Sequence, residues 1–299
     1  MKEPRSHSAA DPKVRYGLLC FRGTLNLGDE IQSLAVAQFL PRVDDFLDRE
    51  KLDEYSGDPI RLIVNGWYMH QPGSWPPAPQ IVPLLTSIHI SQEISPQNVH
   101  KSSPGSTMLR GDGLDYFKKH GPVGARDRNT VRLLTDAGVD SYFSGCMTFT
   151  LPSYLGLRTE DVYCVDIDDE VFLRLKESAR FDLHRLSHWE FDDERLHRFA
   201  KAAALLDHYK RARLVVTGRL HCALPCLAFG TPVVFVESAP DRYRFDGLRE
   251  LLHCVPRDSL ARSVHTWWST EFEQNKPDFI PYRARLIAAA ARFAARCEW

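Results

Sequence analysis

Short, almost wholly apolar runs alternate with stretches of helical periodicity along most of the chain. The pattern is plainest over residues 214–236, which predicts a buried strand, a turn at Gly218, a short helix closed at Gly230 and a second buried strand from Pro232. Apolar runs joined through a helix mark parallel βαβ units, whose strands are covered on both faces. Residues 16–21 open the same theme. A strand there leads through a glycine-containing loop into a helix that opens over 26–29, carries Ile31, Leu34, Ala35 and Phe39 on one face and stops at Pro41.

Further strands are predicted over 60–66, 83–91, just before Arg126, within 141–152 and over 161–168. A helix follows Arg126 and Asp127, with Val131, Leu134 and Ala137 inward and Gly138 as its stop. A longer one over 193–209 presents Leu196, Phe199, Ala200, Ala203 and Leu206 as a buried stripe, its basic residues forming a solvated face. The last helix is expected over 281–296. Residues 67–77 are aromatic and proline-rich and read as a loop, whose aromatics either stack on a sugar or pack the loop down. Residues 91–113 read as a loop of the length that usually serves as a lid or binding segment. The fold class is therefore α/β.

At 299 residues the chain has room for two domains, expected over 14–155 and 156–299 after a disordered leader at 1–13. Lys and Arg total 38 against 39 Asp and Glu, so nothing points to a nucleic-acid partner, and any cationic feature has to be local. Seven cysteines without paired CxxC spacing suit reduced, mostly buried thiols better than a disulfide framework or a zinc ribbon. No apolar run is long enough to span a bilayer and no signal peptide is visible, so the expectation is a soluble cytoplasmic protein.

The candidate chemistry gathers where strands give way to helices. Arg219 and His221 stand at the turn after the strand at 214, a place where α/β sheets bind ligands and helix amino ends favour anions. Arg126 stands in the same position earlier in the chain. It either holds a carboxylate or phosphate through two hydrogen bonds or pairs on the surface with its neighbour Asp127. Asn26, Gly28 and Asp29 open the first helix and aim free N–H groups at whatever lies beyond it. His89 lies near the end of its strand, and Arg242 and Arg244 lie just past another. Asp166 and Asp168 precede a helix and read as caps; no metal site is expected, and Cys222 and Cys226 read as packing residues.

Asn26 to Glu30, Ala125 to Asp127, Gly145 to Leu151, Val216 to His221 and Phe229 to Val233 together give the chain a resemblance, from residue 14 to about residue 252, to the polysaccharide pyruvyl transferases. That resemblance implies two Rossmann-like domains facing across a cleft, as in GT-B glycosyltransferases, with Arg126 and the acceptor on the amino-terminal side. It implies transfer of pyruvate from phosphoenolpyruvate to two hydroxyls of a sugar as a cyclic ketal, with release of phosphate, in the making of an exopolysaccharide or other cell-surface glycan. His221 would be the general acid and base, Arg219 and Arg126 would hold the anionic ends, and His89 would orient the acceptor or share proton transfer. Asn26, Gly28, Asp29 and Arg244 would help to bind substrate. No cofactor or metal is implied. A lipid-linked oligosaccharide acceptor would place the protein peripherally at the inner face of the membrane. Two other readings stay open at this point: a GT-B glycosyltransferase using a nucleotide sugar, and a non-catalytic sugar-phosphate-binding protein.

Overall fold

The computed structural model describes residues 14–96, 98, 101–237, 242–259 and 274–295; the leader expected over 1–13 lies outside the described residues. The described residues form an α/β fold with two parallel sheets. The first comprises β1 (Arg15–Cys20), β2 (Asp45–Asp48), β3 (Ile60–Tyr68), β4 (Ile81–Ile90), β5 (Val123–Ala125) and β6 (Ser141–Phe143), in the order 2-1-3-4-5-6. The second comprises β7 (Val162–Val165), β8 (Leu183–Leu186), β9 (Leu214–Thr217), β10 (Val233–Glu237) and β11 (His253–Pro256), in the order 11-10-9-7-8.

Counted from its own first strand, the second sheet reads 5-4-3-1-2, so the two sheets share one winding. In each, the second strand is laid on one side of the first and the third on the other. The loops after β1 and β3 therefore part in opposite directions, as do those after β7 and β9. Such switch points are where open α/β sheets place their ligands, outside the carboxyl ends of the strands.

The stretch at 214–236 folds as its pattern requires. Strand β9 is wholly buried, the helix Leu220–Phe229 buries all ten of its residues, and Gly230 ends it in the left-handed conformation at φ 72°, which favours glycine. Likewise the first helix, α1 (Gly28–Ala37), follows β1, ends ahead of Pro41 and buries Ile31 and Ala35.

Other expectations are corrected. Trp67 and Tyr68 belong to β3 rather than to the loop after it, and Tyr68 is buried with Trp75, whose ring stacks on Phe117 at 4.8 Å. The stretch read as loop over 91–113 contains α2 (Pro104–Met108) and the start of α3 (Gly111–His120), the latter anchored by buried Phe117. Gly111 and Gly113 obscure that helix in the sequence. The next helices are α4 (Arg128–Asp136), α5 (Asp169–Ser178) and α6 (Arg195–Arg211). Helix α6 buries Arg198, Ala202, Leu205, Leu206 and Tyr209, while Leu196, Ala200 and Ala203 are exposed, so the predicted stripe is rotated from the true one.

The rotation has a cause. Arg198 is not part of a solvated face: its Nε donates to Glu30 Oε1 at 2.8 Å and its Nη2 to Glu30 Oε2 at 3.2 Å, a buried two-pronged pair that ties α6 to α1. With α7 (Leu220–Phe229) and α8 (Ile280–Ala295), these helices share one apolar core, which reaches from Leu18 and Ile63 of the first sheet to Val215 and Phe235 of the second. Helix α8, expected over 281–296, runs back to the first sheet. Tyr16 Oη donates to the Ala294 carbonyl at 2.8 Å and Arg61 Nη1 to the Phe293 carbonyl at 2.7 Å.

Candidate active site

One cavity of about 330 Å³ is lined by loops that follow strands of both sheets. The first sheet contributes Thr24, Asn26 and Asp29 after β1, Trp67 and His70 at the end of β3, Glu93 after β4 and Arg126 after β5. From the second come His188 after β8, Gly218 to His221 after β9, and Arg244 and Phe245 after β10. Every one of these residues lies at or beyond the carboxyl end of its strand. The volume is at the low end of the ~300–1,000 Å³ usual for small-molecule sites, which suits a compact ligand.

Two helix amino ends meet there. Helix α7 begins at Leu220, with Arg219 in extended backbone before it and no side chain capping its first N–H groups. Arg219 is held in place because its N–H donates to Thr217 Oγ1 at 2.9 Å, and that hydroxyl donates in turn to the Val165 carbonyl at 3.1 Å. At the start of α1, Gly28 donates to Asn26 Oδ1 at 3.1 Å. A side chain at position 28 would begin 3.0 Å from His221 Nδ1 and 3.1 Å from His221 Cβ, so glycine is what lets the two helix ends close on each other.

The cavity wall is cationic. Arg126 is 1% exposed, its Nε has no hydrogen-bond partner, and among the described residues it forms no ion pair. The surface pair with Asp127 is not what forms. Asp127 instead caps α4 by accepting from Thr130 N–H at 2.8 Å, and its other oxygen meets His89 Nδ1 at 2.6 Å. Arg219 reaches the wall with its Nε donating to Asp166 Oδ2 at 2.8 Å and its guanidinium over the Trp189 ring at 4.8 Å. Arg244 completes the cationic side. A guanidinium cannot shed its proton to escape burial, so a site of this kind is stable mainly when an anion arrives to share it.

His221 faces the same wall. Burial, and then the positive charge of Arg126, hold its pKa well below the ordinary histidine value, and its Nε2 is buried without a partner. The imidazole is therefore neutral at physiological pH, a proton acceptor held beside three arginines. The two carboxylates on the rim are restrained. Asp29 accepts from Gln32 Nε2 at 3.2 Å and Thr24 Oγ1 at 3.4 Å, while Glu93 accepts from Tyr243 Oη at 2.5 Å.

Of the residues singled out from the sequence, Asn26, Asp29, Arg126, Arg219, His221 and Arg244 line this one cavity, and Gly28 packs directly behind it. His89 does not line it. His89 is wholly buried, its pKa is pushed down to about 4 by burial and by Arg126, and it meets Asp127, the Thr130 hydroxyl and the Tyr243 ring. The side chain of Arg242 lies outside the described residues. Asp168 is the cap expected of it, accepting from Val171 N–H at 2.9 Å. Asp166 is not a cap; it binds Arg219, Ser187 and the His188 N–H.

The sequence analysis did not single out His188, His70 or Thr24, and it touched Trp67 and Glu93 only as parts of the aromatic stretch over 67–77 and of the lid or binding segment over 91–113. His188 follows the partly exposed edge strand β8, whose sequence Leu183–Leu186 carries too little apolar signal to be read as a strand. It is 1% exposed, and its Nε2 pairs with Tyr209 Oη at 2.9 Å. Recognising β8 would have put it at a strand end.

With that geometry in place, the comparisons give the class. The family model described as polysaccharide pyruvyl transferase matches residues 26–240, most of the chain and every cavity residue but Thr24, Arg244 and Phe245. The chain belongs to the polysaccharide pyruvyl transferase family. No curated protein matches it. Among solved structures it is similar to an uncharacterized protein of Klebsiella pneumoniae subsp. pneumoniae, at 13% identity and a TM-score of 0.46 over 81% of this chain and 92% of that one. Among the described residues no helix is long and apolar enough to cross a membrane.

Proposed function

We propose that this protein transfers pyruvate from phosphoenolpyruvate to two hydroxyls of one sugar, forming a cyclic ketal and releasing phosphate. The observation that carries the reading is Arg126: a buried guanidinium without an ion pair among the described residues, facing a small cavity beside Arg219, Arg244 and the neutral His221. Phosphoenolpyruvate carries a carboxylate and a phosphate on one three-carbon frame, so arginines on different strand ends engage both charges and fix its orientation.

The chemistry follows from the same residues. His221 takes the proton of the first hydroxyl as that oxygen bonds to C2 of phosphoenolpyruvate, and the proton passes to C3, which becomes the methyl group. Phosphate then leaves C2 with its bridging oxygen. The second hydroxyl bonds there, and its proton travels through His221 to the departing phosphate. Arg126, Arg219 and Arg244 hold the charge that accumulates on the phosphate. Asn26, Gly28 and Asp29 shape the wall opposite α7, and His89 with Asp127 fixes the end of β5 from which Arg126 projects. The donor supplies its own leaving group, so the reaction calls for no cofactor or metal.

In this reading the halves carrying the two sheets, divided near residues 152–160, act as two Rossmann-like domains facing across a cleft in the GT-B manner. The acceptor is a sugar or lipid-linked oligosaccharide of a cell-surface or exopolysaccharide pathway, met in the cytoplasm or at the inner membrane face. The test is phosphate release from phosphoenolpyruvate across a panel of glycosides. Release that depends on both substrates and yields a ketal is expected. Thermal stabilisation by nucleotide sugars but not by phosphoenolpyruvate would overturn the reading in favour of glycosyl transfer, and binding without release under any acceptor would leave a sugar-phosphate-binding protein.

A further inference from the structure

Trp189 stands outside the donor cavity and is 52% exposed. Its ring carries the Arg219 guanidinium at 4.8 Å, which leaves the ring half-exposed, and its backbone is pinned as well. Its N–H donates to Ser187 Oγ at 3.0 Å, and it bridges antiparallel to Asn26. On either side, the His188 carbonyl accepts from Leu27 N–H and the Glu190 N–H donates to the Leu25 carbonyl, each at 2.8 Å. The indole and Arg219 line a second depression of about 460 Å³, floored by Asp166, Asp168, Arg185 and Ser187. Arg219 also lines the donor cavity, so the two depressions share this residue as a wall.

We propose that this second depression is the acceptor-sugar subsite, with the Trp189 ring as the platform on which a pyranose stacks; its lining comes from the half carrying the second sheet, not from the amino-terminal side to which the resemblance assigned the acceptor. The proposal rests on the donor reading of the first cavity. A pyranose has an apolar C–H face and a rim of hydroxyls. An exposed indole beside carboxylates, a hydroxyl and a guanidinium matches both, the ring by area and the polar groups by hydrogen bonds. The fixed backbone means that little order is lost on binding. Position matters as much as chemistry. The attacking hydroxyls have to reach C2 of the donor, and a sugar on Trp189 lies just across Arg219 from it.

A membrane surface is the competing occupant, since Phe191 is also exposed beside Trp189. Exposed Asp192 and Asp193 flank that patch and would be repelled by anionic headgroups, which favours the sugar.

The test compares wild-type protein with Trp189→Ala and Trp189→Phe, using the methyl and p-nitrophenyl glycosides of galactose, glucose, mannose and N-acetylglucosamine. Saturation-transfer NMR should show glycoside ring protons contacting the wild-type protein, and Trp189→Ala should lose that signal. For a glycoside that turns over, its KM should rise about tenfold or more in Trp189→Ala and recover most of the way in Trp189→Phe. Thermal stabilisation by phosphoenolpyruvate should stay within about twofold of wild type in dose. The proposal is overturned if no glycoside contacts the wild-type protein, if Trp189→Ala leaves contact and KM unchanged, or if that variant instead loses only sedimentation with phosphatidylglycerol vesicles. Failure of the donor reading looks different: phosphoenolpyruvate neither stabilises nor reacts, while the Trp189-dependent glycoside signal remains.

Discussion

Burial and the nearby arginines, Arg126 foremost, oppose the protonation of His221, so the arrival of an anion changes its state. On the proposed reaction, phosphoenolpyruvate would bring negative charge against Arg126, Arg219 and Arg244 and should raise the His221 pKa toward its ordinary value. Binding at about pH 6 is therefore expected to take up part of a proton, seen by calorimetry in buffers of differing ionisation heat, and His221→Asn should abolish the uptake, while near neutral pH the imidazole stays a proton acceptor. Turnover in His221→Ala should fall by about two to four orders of magnitude while the circular dichroism is unchanged. Arg126 makes the converse case. Arg126→Met removes a buried cation with no ion pair among the described residues, so it should raise the melting temperature of the unliganded protein while eliminating stabilisation by phosphoenolpyruvate. A melting temperature that falls, with stabilisation retained, would show that Arg126 is structural.

Histidine burial also sets the pH dependence of stability. The pKa values of His89 and His221 are depressed in the folded protein, His89 to about 4 from 6.5. Between those values the unfolded chain binds more protons than the folded one. The stability that the neutral His89 contributes is thus complete above about pH 6.5 and is lost as the pH falls toward 4, at up to about 1.4 kcal/mol per pH unit, and the contribution of His221 falls in the same direction below about pH 6.5. Urea titrations across that window should show the slope, and His89→Asn should flatten it. These roles were only half legible in the sequence. The residue types and their place at strand ends suggested Arg126, Arg219 and His221. Whether Arg126 met solvent or Asp127 depended on His89 claiming that carboxylate from 38 positions away.

At the scale of elements, the meeting of α1 and α7 sets the precision of the site. Gly28→Ala would place a methyl group 3.0 Å from His221 Nδ1 and 3.1 Å from Asn26 Oδ1, and the neighbours are a packed helix end and a loop held by hydrogen bonds. The substitution should cost about 1–3 kcal/mol and lower kcat more than it raises the KM for phosphoenolpyruvate, measured by denaturation and steady-state kinetics. Helices and strands with continuous apolar runs were readable, because burial on all sides leaves one composition. The edge strands β2, β8 and β11 were not. Their burial is partial, each is only four residues long, and polar side chains such as Asp45, Arg185 and His253 break their apolar runs. Since His188 follows one of them, a missed strand became a missed wall of the cavity.

For the whole molecule, the halves carrying the two sheets are joined through a shared helical core and through Glu30 with Arg198. Burial raises the Glu30 pKa even against the pull of the arginine, which marks how fully the pair is desolvated. Glu30→Gln should cost about 3–5 kcal/mol by leaving a buried guanidinium uncompensated, whereas Glu30→Met combined with Arg198→Met should recover most of that loss. Thermal melts of the three proteins would check it. If the single and double variants melted together, the pair would contribute nothing to joining the halves.

The sequence by itself determined the α/β class, the two windings of strand and helix, and the turns where Arg126, Arg219 and His221 stand, because these follow from local periodicity and from glycine and proline at chain turns. Tertiary structure alone decided that the two sets of strand ends open on one cavity, that Arg198 is buried, that His89 lies behind the wall, and that Trp189 stands exposed beside Arg219. Each of those depends on which side chain meets which across tens to hundreds of residues. Periodicity shows only that a residue is apolar or charged, whereas its role here is set by the partner that reaches it first.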